Sequence, residues 1–175
     1  RDFSVYACYS DDNGETWQYG DNAPNGDDGK ANEVQMVELE DGSVLLNSRS
    51  IYGAKLRKLA LSKDGGVTWS PLKDHHDLPE PQCMGSIIRH RWPEEGGSVL
   101  LYCGPATQDR REQGAIFVSR DEGKTWPERK EVYAGEFAYS CLTTLQDGSV
   151  GLLFEADGYR QITFVRLPAD LFVQK

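Results

Sequence analysis

The sequence predicts an all-β fold, a β-propeller of four-stranded sheets set side by side, on three observations. The first is a motif written three times. Ser-x-Asp-x-Gly-x-Thr-Trp spans Ser10 to Trp17, Ser62 to Trp69 and Ser119 to Trp126, at offsets of 52 and 57 residues. A period of that length marks supersecondary units that bury their apolar faces against one another. The second is another set of turn signals interleaved with the first, Asp41-Gly42, Gly96-Gly97 and Asp147-Gly148, each a dipeptide that closes hairpins. The third is that no segment sustains an apolar period of 3.6 residues, so little helix is expected.

The elements follow in order. Phe3 to Tyr9 reads as a strand ending at the first motif. Val34 to Leu39 and Val44 to Asn47 flank Asp41-Gly42 as a hairpin, Leu56 to Leu61 is a third strand, and the second motif turns the chain into a fourth around Thr68-Trp69. The same order returns with Gly85 to His90, Val99 to Cys103 and Ala115 to Val118, which leads into the third motif and Trp126. It begins again with Ser140 to Leu145, Val150 to Phe154 and Gln161 to Leu167. The expected division is a blade remnant over 1–30 and blades over about 31–80, 81–135 and 136–175. About three and a half blades are fewer than a propeller needs to close, so the expectation is a fragment of a larger propeller or one closed by a partner.

The motif residues have a structural explanation. Asp12, Asp64 and Asp121 can accept backbone N–H bonds across a tight turn, and Gly14, Gly66 and Gly123 can take positive φ. Ser10, Ser62 and Ser119 can bond locally, while Trp17, Trp69 and Trp126 can cover seams between sheets. The loops carry too few oxygen ligands for calcium, so no metal or other cofactor is expected.

Composition sets further bounds. With 28 Asp and Glu against 19 Lys and Arg, the formal charge of -9 disfavours nucleic acid and anionic membranes as partners. Apolar runs are too short for a transmembrane helix, and no signal peptide is visible. Cys8, Cys83, Cys103 and Cys141 lack metal-ligand spacing and read as scattered thiols. A secreted, lysosomal or cytoplasmic location is compatible with the sequence.

Hairpin register locates candidate chemistry. With Asp41-Gly42 as a turn centre, Glu33 lies beside Arg49 or Ser50; with Asp147-Gly148, Tyr139 lies beside Glu155 or Ala156. Glu33 and Tyr139 each stand eight residues before their turn Asp, and Arg49 and Glu155 eight after. All four fall at the end away from these turns, and the three repeats fall on the opposite face. Arg110 and Arg111 occupy a loop on the cluster's side. Paired arginines bind a carboxylate through charge-assisted bonds, and a Tyr beside a Glu can serve as a nucleophile whose proton the Glu accepts. Each residue also has a plainer reading: Glu33 and Arg49 as a cross-strand ion pair, Tyr139 as a channel lining, Arg111 as a solvated loop charge, and Glu155 as a strand-end carboxylate.

With these residues in order, the chain resembles the carboxyl-terminal half of the exo-α-sialidase (neuraminidase) family of six-bladed propellers, and its repeats resemble that family's Asp-boxes, or BNR repeats. The run Asn32 to Leu39 with Asp41 to Arg49 is similar to the family's Glu-to-Arg segment, and Ala138-Tyr139-Ser140 before Asp147-Gly148 to its nucleophile segment. The resemblance implies that Tyr139 is the nucleophile and Glu33 its carboxylate partner. It implies that Arg49 and Arg111 are two of three arginines gripping the sialic acid carboxylate, with Arg110 as the rival to Arg111. Glu155 resembles the glutamate that orients the remaining arginine. The family keeps its first arginine and an Asp acid/base in its front half, and no segment before Glu33 matches either. The expectation is a retaining sialidase acting on sialylated oligosaccharides, glycoproteins or glycolipids, with this chain inactive alone and its partner the amino-terminal half of the propeller. A non-catalytic sialic acid-binding propeller and a trans-sialidase stay open as alternatives.

Overall fold

The computed structural model describes residues 3–27 and 29–172. The outer parts of the expected spans 1–30 and 136–175, residues 1–2 and 173–175, lie outside the described residues, as does position 28.

Three antiparallel sheets follow one another along the chain. β1 (Cys8–Tyr9) pairs with β2 (Gln18–Tyr19) around the first repeat. The strand expected over Phe3 to Tyr9 is present only as this pair and one bridge, Val5 to Ala23. Its partner among the described residues is the returning segment alone, and a two-stranded ribbon twists too strongly to keep a long ladder.

The second sheet holds β3 (Lys30–Glu38), β4 (Val44–Ile51), β5 (Leu56–Ser62) and β6 (Lys73–Pro79) in chain order. β6 corrects the fourth strand expected around Thr68-Trp69. The second repeat's turn runs through Trp69, and Pro71 then lacks the N–H that a ladder needs. Pairing with β5 therefore begins only at Lys73, opposite Leu59.

The third sheet runs β7 (Ser86–Arg91), β8 (Val99–Pro105), β9 (Glu112–Ser119), β10 (Glu128–Thr144), β11 (Val150–Ala156) and β12 (Gln161–Leu167). The strand expected from Ser140 begins twelve residues earlier, two residues after Trp126, and the chain forms the single 17-residue β10, Glu128–Thr144. Its first part pairs with β9 and its second with β11, and register shifts at Glu131/Tyr133, Tyr133/Glu136 and Phe137/Ser140 bend it between them. Irregularities of this kind increase local twist, which curls the six strands. Among the described residues the helical pieces are two 3-10 turns, Pro93–Glu95 and Ala169–Phe172, and no helix is long and apolar enough to cross a membrane.

Successive strand residues face opposite sheets, and the cores show it. Leu45 packs with Leu100, Tyr102, Phe117 and Trp126 between the second and third sheets, while its neighbour Leu46 packs with Val5, Ala31 and Trp69 toward the first. Likewise Leu101 joins Val118, Phe137, Val150 and Phe154 in a third cluster. Two of the three repeat tryptophans follow a rule, while Trp17, expected to cover a seam, is exposed because among the described residues no sheet precedes the first. Trp69, in the second sheet's repeat, reaches back to the core shared with the first sheet; Trp126 reaches back to the core shared with the second. Gly123 has φ 79°, and a Cβ there would stand 2.7 Å from Leu45 Cδ2, so a larger residue would strain the turn and push the Leu45 side chain aside.

Inside each repeat the bonding is the same. Asp64 Oδ1 accepts from the Thr68 backbone N–H at 2.8 Å and from Ser62 Oγ at 2.8 Å, and Asp64 Oδ2 accepts from Thr68 Oγ1 at 2.5 Å. The Gly66 N–H donates to Ser62 Oγ at 2.8 Å. Asp12 with Ser10 and Thr16, and Asp121 with Ser119 and Thr125, repeat the pattern. These bonds hold the Asp12 and Asp64 carboxyls down at about 2. All three aspartates are thus saturated by their own turns. Register places those turns at one end of the sheets: Ser62 lies opposite Val44, beside the Asp41-Gly42 turn, and Ser119 opposite Leu100.

Candidate active site

The far end of the same strands is polar. β3 and β4 pair regularly from Glu38–Val44 back to Val34–Ser48, then shift, so that Asn32 lies opposite Arg49 and Glu33 is the extra residue. Glu33 sits in the left-handed region at φ 31°, which few non-glycine residues adopt without surrounding support. β10 and β11 do the same. Between Phe137–Ala156 and Ser140–Phe154, Ala138 and Tyr139 oppose Glu155 alone. Both candidate residues therefore stand on β-bulges, which re-aim side chains out of a sheet's regular alternation.

The bulges turn Glu33 and Tyr139 toward each other from different sheets. The Tyr139 phenol donates to Glu33 Oε1 at 2.6 Å. Arg49 Nη1 donates to Glu33 Oε2 at 2.8 Å and to Tyr139 Oη at 2.9 Å, closing a triangle of phenol, carboxylate and guanidinium. Arg111, just before β9, holds its guanidinium carbon 5.4 Å from the centre of the Tyr139 ring. Its backbone carbonyl accepts from the Phe137 N–H at 2.8 Å. Arg110 is exposed and its backbone bonds to Thr107, whereas the Arg111 guanidinium lies against the cluster. Glu155 Oε2 accepts from the Tyr139 backbone N–H at 3.2 Å and has no ion-pair partner among the described residues.

Electrostatics fixes the resting protonation. Partial burial works against ionised Glu33, but hydrogen bonds from Arg49 and Tyr139, with the charges of Arg49 and Arg111, outweigh it and hold the carboxyl below its ordinary value. Burial, then the hydrogen bond and charge of Glu33, push the Tyr139 phenol above its ordinary value despite both arginines. The pair rests as a neutral phenol donating to a carboxylate.

Three residues absent from the sequence reading complete the site. Arg111 Nη1 donates to Tyr159 Oη at 2.8 Å and Nη2 to the Gln82 carbonyl at 2.6 Å. Tyr159 follows Asp157-Gly158 between β11 and β12, and all three residues have positive φ; that Asp-Gly dipeptide was an available turn signal at this end of the sheets. Gln82 and the buried Glu80 lie in a loop with no motif to flag them.

A hollow of about 280 Å³ lined by Gln35, Met84, Tyr139, Glu155 and Ile162 opens beside the phenol, and one of about 70 Å³ lies between Arg111, Ala138 and Tyr159. A larger hollow, about 780 Å³, lies at the opposite end among Leu39, Leu45, Leu61 and Gly123. It contains none of the phenol–carboxylate–arginine cluster, so size does not locate the chemistry here. Among the described residues no group of His, Cys, Asp and Glu has metal-binding geometry.

Comparison with known proteins gives a consistent picture. Residues 1–152 match the model of the BNR repeat-like domain. A sialidase of Micromonospora viridifaciens is 43% identical over 167 residues, 93% of this chain and 25% of that protein. A Hadza microbial sialidase of known structure superposes with a TM-score of 0.81 at 35% identity over 95% of this chain and 32% of its own. The intramolecular trans-sialidase of Ruminococcus gnavus, solved with oseltamivir carboxylate, does so with a TM-score of 0.78 at 28% identity, over 96% of this chain and 39% of its own. The three sheets thus match about half of a sialidase-like propeller, and the chain spans less than half the length of the curated relatives it matches, a quarter of the Micromonospora viridifaciens protein.

Proposed function

Because the chain belongs to the sialidase family of BNR-repeat proteins, we propose that the whole protein is an exo-α-sialidase that removes terminal sialic acid with retention, Tyr139 being its nucleophile. One observation carries this reading: a phenol 2.6 Å from a carboxylate, with one guanidinium bonded to both groups and another over the ring.

Arg49 and Arg111 receive the substrate carboxylate, for which planar, permanently charged guanidinium groups are suited. That grip places the anomeric carbon over Tyr139 Oη. The phenol oxygen bonds to this carbon as its proton passes to Glu33, and the glycosidic C–O bond breaks. The departing oxygen takes a proton from an acid outside the described residues. Water then attacks the same carbon, giving up a proton to that acid, now deprotonated, as the C–O bond to Tyr139 breaks and Glu33 returns its proton to the departing phenolate. Two displacements at one carbon give net retention. A phenol suits the task because, neutral at rest, it places no anion beside the substrate carboxylate. Glu155, at the end of β11, is the anchor for a further arginine of the substrate grip. Sialylated oligosaccharides, glycoproteins and glycolipids are the substrate class.

The test is release of the reporter group from a fluorogenic sialoside by the whole protein, with product analysis. Free sialic acid supports hydrolysis. An internal anhydro sugar supports intramolecular transfer, the activity for which the Ruminococcus gnavus intramolecular trans-sialidase is named. Binding of sialic acid without any release overturns the enzymatic reading and leaves a glycan-binding propeller.

A further inference from the structure

We propose that Glu80 is a positioning residue that sets Arg49 and Arg111 at a fixed spacing for one substrate carboxylate. This rests on the sialidase reading above and extends it to a residue outside the reacting cluster. Arg49 and Arg111 come from different sheets and meet the same anion, so some element must set the distance between them.

Glu80 follows β6 and its side chain is fully buried. One carboxylate oxygen, Oε2, accepts from the Ser50 N–H at 2.5 Å. Ser50 is the residue after Arg49, beyond the point where β4 stops pairing with β5 at Ser48–Lys58. The other oxygen, Oε1, accepts from the Cys83 N–H. The Cys83 N–H and the Gln82 C=O are two ends of one planar peptide group, and that C=O accepts from Arg111 Nη2 at 2.6 Å. Fixing the N–H therefore fixes the direction of the carbonyl. The chain of bonds runs from the backbone beside Arg49, through one carboxylate, to the acceptor that seats Arg111. Gln82 has φ 56°, a conformation that needs such outside support.

Charge alone argues the opposite effect. Burial pushes the Glu80 carboxyl above its ordinary value, against Arg57, the Ser50 and Cys83 N–H groups and Arg49; with both oxygens accepting N–H bonds it fits the carboxylate form, and removal of that negative charge would make the site more attractive to an anion. The two accounts differ in sign, and that makes the inference testable.

The experiment uses the whole protein and a fluorogenic sialoside, with wild-type turnover measured first. Absence of wild-type turnover and binding counts against the sialidase reading; the variants address Glu80 itself. Glu80→Asp keeps the charge beside buried Arg57 but shortens the reach. It should raise KM about tenfold with kcat little changed, since misplaced gripping groups weaken ground and transition states alike. The same substitution in an Arg111→Ala background should lower kcat/KM by less than it does in the wild type, because there is no second arginine whose spacing it can disturb. Glu80→Gln, which offers one acceptor to two N–H donors, should act in the same direction. Unchanged or lower KM, or an equal loss in the Arg111→Ala background, overturns the proposal. Independently of any variant folding, a crystal of the wild-type protein with a dehydrated sialic acid analogue should show Arg111 on the Gln82 carbonyl and the ligand carboxylate together. Release of Arg111 from Gln82 in that complex overturns it too.

Discussion

Tyr139 and Glu33 stand 106 residues apart in the chain and 2.6 Å apart in space, each lifted out of its strand by a bulge at the same distance from an Asp-Gly turn. The carboxylate meets the phenol at its hydroxyl, on the proton that must leave if the oxygen is to attack carbon.

Replacing Glu33 by Gln keeps a hydrogen-bond acceptor but removes the base. Catalysis by a positioned base contributes about 10²- to 10⁴-fold, so Glu33→Gln should lower kcat within that range on an unactivated sialoside. Steady-state kinetics checks it, and a loss under about threefold would remove Glu33 from the proton path.

The pH profile follows from the sign of the Glu33 shift. Its folded carboxyl is held below the ordinary 4.5, so the unfolded chain takes up the proton first. The stabilisation is therefore present above pH 4.5, and is lost as pH falls through the folded value. The acid limb of kcat/KM, which reports the free protein, should lie below pH 4.5. That of kcat should lie higher, because a bound substrate carboxylate competes for Arg49. Persistence of an unchanged acid limb in Glu33→Gln would assign the limb to another group.

The adjacent arginines should behave differently. Arg111→Lys keeps the charge but loses the planar fork and one of the bonds to Tyr159 and Gln82. A charge-assisted bond contributes about 1.5–3 kcal/mol, so KM should rise about 10- to 100-fold. Arg110→Ala should change KM less than about twofold. Parallel kinetics on the two variants checks this, and equal effects would contradict the assignment of Arg111.

The repeats should govern stability and leave chemistry alone. Trp126 is 3% exposed between the second and third sheets. Trp126→Ala should cost about 3–5 kcal/mol, read by urea unfolding, with kcat unchanged at temperatures where the variant stays folded. A fall in kcat with unchanged stability would give the repeat face a role in turnover.

Much of this was legible in the sequence, for physical reasons. Alternating apolar residues around Asp41-Gly42 and Asp147-Gly148 fix strand registers, and counting from those turns brings Glu33 to Arg49 and Tyr139 to Glu155. The bulges were not legible, because Asn32-Glu33-Val34 and Ala138-Tyr139-Ser140 carry no glycine or proline to mark an extra residue; the shift is imposed by packing between sheets. The fourth strand was placed too early because Thr68-Trp69 has strand composition, while the Asp64 turn and Pro71 hold it out of the ladder. Arg111 was separable from Arg110 only by what each touches. Glu80 and Gln82 act through backbone groups, and nothing in their side-chain pattern announces that.

The central claim is that Tyr139 forms a covalent bond to the sugar. A sialic acid carrying fluorine beside the anomeric carbon and fluoride as leaving group tests it most directly. The first fluorine slows the oxocarbenium-like second step and the good leaving group permits the first, so a glycosyl-protein intermediate accumulates. Digestion and mass spectrometry of the trapped whole protein should place one sialyl adduct on Tyr139 and none in Tyr139→Phe. An adduct on Glu33 or another carboxylate, or time-dependent inactivation that survives in Tyr139→Phe, would contradict the account.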